Sequence, residues 1–100
     1  MQLLIESPGL KIEDQLLESI HARFDHFTRL YNRISKCRVL LRKEKSDHQD
    51  KYRIEAKLIV PGKVLFAQEQ ADNFETSLPK VVNGLMHQLS RYKNEREEIW

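Results

Sequence analysis

The spacing of apolar residues along this chain switches between two and three-to-four, and each switch marks the end of an element. Met1, Leu3 and Ile5 alternate with polar neighbours, Leu4 excepted, which predicts a short first strand ending at Ser7-Pro8-Gly9. Leu16, Ile20, Phe24, Phe27 and Tyr31 then recur at helical spacing and predict an amphipathic helix from Glu13 to about Leu30. Glu13, Asp14 and Glu18 put negative charge in its first turns, where the helix dipole favours it. No Ser, Thr or Asn stands at this start, so the cap is either a weak Glu13 or Asp14. Period two returns at Cys37, Val39 and Leu41. After the polar hairpin loop Ser46 to Asp50 it resumes at Tyr52, Ile54, Ala56, Leu58 and Val60. Pro61-Gly62 fits a tight turn, and a fourth strand runs from Val64 to about Gln70.

The last third is a second helix, from about Asn73 to Asn94. Phe74, Leu78, Val81, Val82, Leu85, Leu89 and Tyr92 form its apolar stripe. Asp72, with Glu75 three residues later, resembles a capping box at its start. Pro79 lies well inside this helix, where it removes a backbone donor and crowds the preceding turn. We expect a continuous helix kinked there; the alternative is a start near Ser77, with Pro79 in the first turn. The order β-α-β-β-β-α predicts an α+β fold, with a four-stranded mixed sheet and two helices packed on one face. A right-handed crossover should make the first two strands parallel, and hairpins make the rest antiparallel. Leu3, Ile5, Val39, Leu41, Ile54, Ala56 and Leu58 should then meet Leu16, Ile20, Phe24, Phe27, Leu85 and Leu89 in one core.

Composition narrows the class. One hundred residues with 40% hydrophobic content suit a single domain, with residues 95–100 left as a charged tail that frays. Cys37 is the only cysteine, which excludes an internal disulfide and favours a reducing compartment. The amino terminus has no basic segment or apolar run of signal-peptide length, and no apolar run could span a membrane. The expectation is a soluble cytoplasmic domain. The net charge of +2 hides an uneven distribution: residues 36–66 hold nine Lys/Arg against four Asp/Glu, an excess of +5. Such a local field can attract polyanions, although a solvated sheet face explains it as well.

The candidate chemistry is binding rather than catalysis. His21 and His26 are five residues apart, about 140° round a helix, so they cannot share a metal ion as an i, i+4 pair can. His48 and His87 lie on other elements, no glycine-rich phosphate loop occurs, and Cys37 falls on the core side of a strand. We expect no cofactor, no metal and no catalytic constellation. The basic residues do form a pattern. Arg23, Arg33 and Lys36 lie on or just after the first helix, and Arg91 and Lys93 close the second. With the helices side by side, these could line one surface together with His26, His87 and Gln88. Arg38, Arg42, Arg53 and Lys57 should occupy the opposite sheet face.

Met1-Gln2-Leu3, Asn32-Arg33-Ile34, Pro61-Gly62 followed by Leu65 and Ala67, and Gln88-Leu89-Ser90-Arg91-Tyr92-Lys93 together resemble the ribosome hibernation-promoting factors. These are also called ribosome-associated translation inhibitors or sigma-factor modulation proteins. The resemblance runs from Met1 to about Lys93, so residues 1–94 correspond to a single ribosome-binding domain. It implies a non-enzymatic cytoplasmic factor that occupies the small ribosomal subunit between head and body. There it overlaps the tRNA and messenger sites and silences idle ribosomes in slow growth, stationary phase and stress. Arg23, Arg33, Gln88, Arg91 and Lys93 match family positions, and the basic helix-face positions of the family contact ribosomal RNA. The implied partner is ribosomal RNA, with no DNA and no membrane, for a protein monomeric off the ribosome. Longer relatives carry a C-terminal dimerisation domain, so ribosome pairing here would call for another hibernation factor.

The departures have consequences. His26 and His87 replace common Lys or Arg, Asn32 replaces Asp, Pro79 replaces an acidic residue, and Phe74 stands one place from the usual aromatic. An ordinary imidazole is mostly uncharged at neutral pH, so ribosome binding should be tighter at pH 6 than at pH 7.5. Three other readings compete. A general structured-RNA module is suggested by the double-stranded-RNA-binding-domain-like element order. That fold needs cations at the start of the last helix, where Asp72 and Glu75 stand instead. A small nuclease lacks any supporting spacing. A protein-binding module could use Leu40, Ile59 and Phe66 on the open sheet face.

Overall fold

The computed structural model describes residues 1–45 and 48–97. Its elements are β1 (Gln2–Glu6), α1 (Asp14–Leu30), β2 (Lys36–Glu44), β3 (Lys51–Val60), β4 (Lys63–Ala71) and α2 (Phe74–Glu97). The sheet order is β1-β2-β3-β4, with β1 parallel to β2 and the other pairs antiparallel. This is the expected α+β arrangement. Ser46 and Asp47 of the expected hairpin loop and residues 98–100 of the expected tail lie outside the described residues.

Period two decides which strand residues meet the helices. Cys37, Val39, Leu41, Ile54, Ala56, Leu58 and Leu65 are buried beneath Leu16, Ile20, Phe24, Phe27, Leu78, Val81, Leu85 and Leu89, while Leu3 and Ile5 pack half-buried at the margin. Phe24 and Phe27 meet edge to face at 5.5 Å between ring centroids. Each fully buried ring contributes about 1.5–3 kcal/mol of transfer free energy. Helix α2 lies against β3 and β4. It comes closest at Gly84, where an added Cβ would sit 3.3 Å from the Cβ of Ala67. Gly62 takes φ +76° in the β3–β4 turn, a conformation that side-chain-bearing residues resist.

The helix starts differ in detail from the sequence reading. Glu13 is the α1 cap residue and makes no side-chain cap bond, as its weak capping chemistry suggests. For α2 the capping residue is Asn73, not Asp72: Asn73 Oδ1 accepts the Thr76 N–H at 2.7 Å. Asp72 is drawn away by Lys51, whose Nζ lies 3.3 Å from its carboxylate. The helix runs unbroken through Pro79, and the Ser77 N–H donates to the Asn73 carbonyl at 3.2 Å, so the start near Ser77 does not occur. The buried Ser77 hydroxyl also lies within bonding distance of the Asn73 and Phe74 carbonyls, at 3.3 and 3.4 Å. Three residues beyond the expected end, α2 is still helical at Glu97.

Candidate functional site

Ion pairing divides the cations of this protein into two populations. Every ion pair among the described residues lies on the sheet or at its loop margin: Arg38 with Glu6 (3.0 Å), Arg42 with Glu55 (3.7 Å), Lys43 with Asp50 (3.3 Å), Lys51 with Asp72 (3.3 Å), and Arg53 with Glu44 (2.9 Å) and Glu55 (3.9 Å). The Lys43 ammonium is held protonated to higher pH, first through its hydrogen bond to Asp50. On the helix side, Arg23 and Arg29 of α1, Arg33 of the following loop and Arg91 of α2 are all exposed. None of these four makes an ion pair among the described residues. Their guanidinium groups are therefore not tied to a carboxylate of the described residues within 4 Å. Arg29 was absent from the sequence reading, although it follows His26 by three residues and so neighbours it on the same helix.

The remaining expected site residues separate. His26 and His87 are exposed, on α1 and on α2. Lys36 does not join the helix surface. It alternates with buried Cys37 and lies opposite Ile59, which puts it on the open sheet face. Gln88 and Lys93 share one helix but sit about 140° apart around it. Gln88 turns toward the sheet edge, where its Oε1 accepts the Phe66 N–H at 3.1 Å and its Nε2 donates to the Phe66 carbonyl. Both polar atoms of its amide are thus spent on the outer edge of β4. Lys93 turns the other way, and its Nζ donates to the Leu30 carbonyl at 3.0 Å. That places a cation on the negative end of the α1 dipole. Arg91, three residues after Gln88, shares the Gln88 flank and projects outward.

The basic ends of both helices are braced against the β3–β4 turn. The Tyr92 hydroxyl donates to the Pro61 carbonyl at 2.7 Å, Tyr31 packs edge to face on Tyr92 at 5.7 Å, and the Arg96 guanidinium lies 5.4 Å from the Tyr92 ring centre. Burial, then the neighbouring Tyr31 phenol, pushes the Tyr92 phenol above its ordinary value. Cations are thereby held on a rigid frame rather than on loose ends. Toward the other end, Arg23 borders a groove between the helices of about 220 Å³, shared with Glu13, Ser19, Glu75 and Pro79. Its two carboxylates make the groove itself a poor anion site. The Cys37 thiol is pushed up to about 12, chiefly by burial, which keeps it protonated and unreactive. Among the described residues no three His, Cys, Asp or Glu come together as a metal site, and no helix is long and apolar enough to cross a membrane.

An α+β domain with unpaired arginines on its helix side has the charge pattern that suits a polyanion. Comparison with known proteins gives its family. Residues 3–97 match the family described as Sigma 54 modulation protein / S30EA ribosomal protein, and the chain belongs to this family. It is 31% identical to the ribosome hibernation promoting factor of Acinetobacter guillouiae, over 93% of this chain and 88% of that one. Its fold is similar to a ribosomal subunit interface protein from Coxiella burnetii, with a TM-score of 0.83 at 22% identity, covering 94% of this chain and 99% of that one. It is also similar to the N-terminal domain of Protein Y from Thermus thermophilus, with a TM-score of 0.75 at 19% identity, covering 91% of this chain and 94% of that one.

Proposed function

We propose that this protein is a non-enzymatic cytoplasmic factor that binds the small ribosomal subunit through ribosomal RNA. It would occupy the tRNA and messenger region there and hold idle ribosomes out of translation. Family membership and the name of the Acinetobacter relative support the ribosomal reading. The observation that carries the RNA-facing role is that Arg23, Arg29, Arg33 and Arg91 make no ion pair among the described residues, set against a sheet whose cations are mostly paired. An unpaired guanidinium keeps all five donors free for phosphate oxygens and releases counterions when it binds. Four arginines on two helices and a loop read the spacing of a folded RNA backbone rather than base identity. His26 and His87 stand exposed on the same helix layer. Gln88 and Lys93 contribute by fixing α2 against β4 and α1, which positions Arg91.

The test is co-sedimentation with small subunits over a salt series. If about five phosphate contacts form, log affinity falls against log salt with a slope of roughly −3.5 to −4.5. Excess tRNA should displace the protein. Salt-independent binding, or retention in the presence of saturating tRNA, contradicts the proposal.

A further inference from the structure

The open face of the sheet carries an arrangement that its own stability does not explain. The register sets Arg38 directly opposite Lys57 and Arg42 directly opposite Arg53, two like-charge cross-strand pairs on one face. Like charges in that relation destabilise a sheet. Glu6, Glu44 and Glu55 relieve Arg38, Arg42 and Arg53 only in part, since the Arg42–Glu55 separation is 3.7 Å. The Arg53 Nε is buried without an acceptor. Lys57 and Lys36 make no ion pair among the described residues.

Phe66 stands in the same cross-strand row as Arg38 and Lys57. Its ring is 38% exposed, a large apolar surface left uncovered at an edge strand. The Lys57 ammonium lies 6.0 Å from the ring centre, and Gln88 holds the Phe66 backbone at both N–H and carbonyl. Beside the ring is a recess of about 160 Å³, walled by Arg38 and Lys57, by Leu40, and by the carboxylates Glu6 and Glu55. Half-buried Leu40 and exposed Leu4 continue the apolar surface.

We propose that this face is a second binding surface, a platform on which single-stranded RNA lays a base against Phe66 and its phosphates along Arg38, Arg42 and Lys57. The face as a whole has more cations than carboxylates, and a basic surface with an exposed aromatic ring on a fixed backbone is the chemistry that captures unpaired strands without reading sequence. A phosphate chain also relieves the two like-charge pairs, which an apolar protein partner does not. The choice of RNA over DNA rests on the ribosomal reading above; the fit to a stacked polyanion does not.

The full chain is titrated into a fluorescently labelled oligouridine at about 0.15 M salt. Saturable binding is expected, weakened about tenfold by Phe66→Ala, the usual cost of losing one stacked base. Lys57→Gln should weaken binding several-fold while melting no lower than the parent, because it removes a like-charge pair. Arg91→Gln, on the helix side, should weaken oligouridine binding less than Lys57→Gln does; an equal or larger loss places the strand on the helix side and overturns the proposal. Absence of saturable binding overturns the proposal, as does equal affinity of the Phe66→Ala or Lys57→Gln chain. Equal binding of polyglutamate, which would mark a generic acidic-peptide site, overturns it too.

Discussion

Gln88 separates a structural role from a binding role most sharply. Its family motif suggests an RNA contact, whereas its amide is engaged with the Phe66 N–H and carbonyl at the outer edge of β4. Replacing it with Ala removes two hydrogen bonds to the sheet edge. Each contributes about 0.5–1.5 kcal/mol net, and the lower half applies because water can replace the amide at this exposed edge. Ala gains a few tenths of a kcal/mol in helix propensity over Gln, a small offset. The net loss is therefore about 0.7–1.7 kcal/mol, which lowers the melting temperature by roughly 3–9 °C for a domain of this size. The freed Phe66 N–H and carbonyl also become an open strand edge, so the variant should aggregate more readily on heating. Urea denaturation gives the stability change, and amide exchange at Phe66 gives its location. Gln88→Glu should behave as badly, because a carboxylate faces the Phe66 carbonyl without a donor. Unchanged stability and Phe66 exchange together with lost ribosome binding would refute this reasoning and return Gln88 to the RNA contact set.

Three further outcomes follow from the same structure. Burial holds the Cys37 thiol up to about 12 from its ordinary 9.0, so the folded state binds this proton more tightly than the unfolded chain. Stability should then fall as pH rises from about 9 toward 12, and urea melts at pH 8 and pH 10.5 check the sign. Native protein should also resist iodoacetamide at pH 8 and react at once in denaturant. Gly84→Ala sets a helix gain of about 1 kcal/mol against a 3.3 Å approach to Ala67, so its melting temperature stays near the parent's, whereas Gly84→Leu overpacks the seam and costs at least about 2 kcal/mol. Lys93→Met removes the cation on the Leu30 carbonyl while keeping the stem, and should cost about 0.5–1.5 kcal/mol with ribosome affinity falling by less than in an Arg91 variant.

The elements were legible because each switches period at a turn signal, and burial on both layers enforces the pattern. Leu4, the one residue that breaks the β1 alternation, takes its place on the open face at 36% exposure. Sequence alone does not place the α2 start to the residue, because Asp72 and Asn73 both cap well; in the structure Asn73 caps while Asp72 pairs with Lys51. For the candidate site, the stripe of α2 was plain, but the direction of each flank was not. Gln88 and Lys93 look equivalent in sequence, yet one flank meets β4 and the other meets α1. Lys36 was assigned by its distance from α1, when the parity set by buried Cys37 sends it to the other face. The like-charge pairs of the sheet need a register, which no single strand carries.

The central claim is that unpaired arginines of the helix layer hold this protein on the small subunit. The direct measurement compares two triple charge reversals of equal net charge in subunit co-sedimentation at about 0.15 M salt. One is Arg23→Glu with Arg33→Glu and Arg91→Glu. The other is Lys11→Glu with Lys45→Glu and Lys63→Glu, at exposed positions in two loops and at the first residue of β4. Circular dichroism should show both chains folded. The account predicts that the helix-layer triple leaves the ribosomal pellet while the loop triple stays with it after modest weakening. Equal loss by the two, or retention of the helix-layer triple, would contradict it.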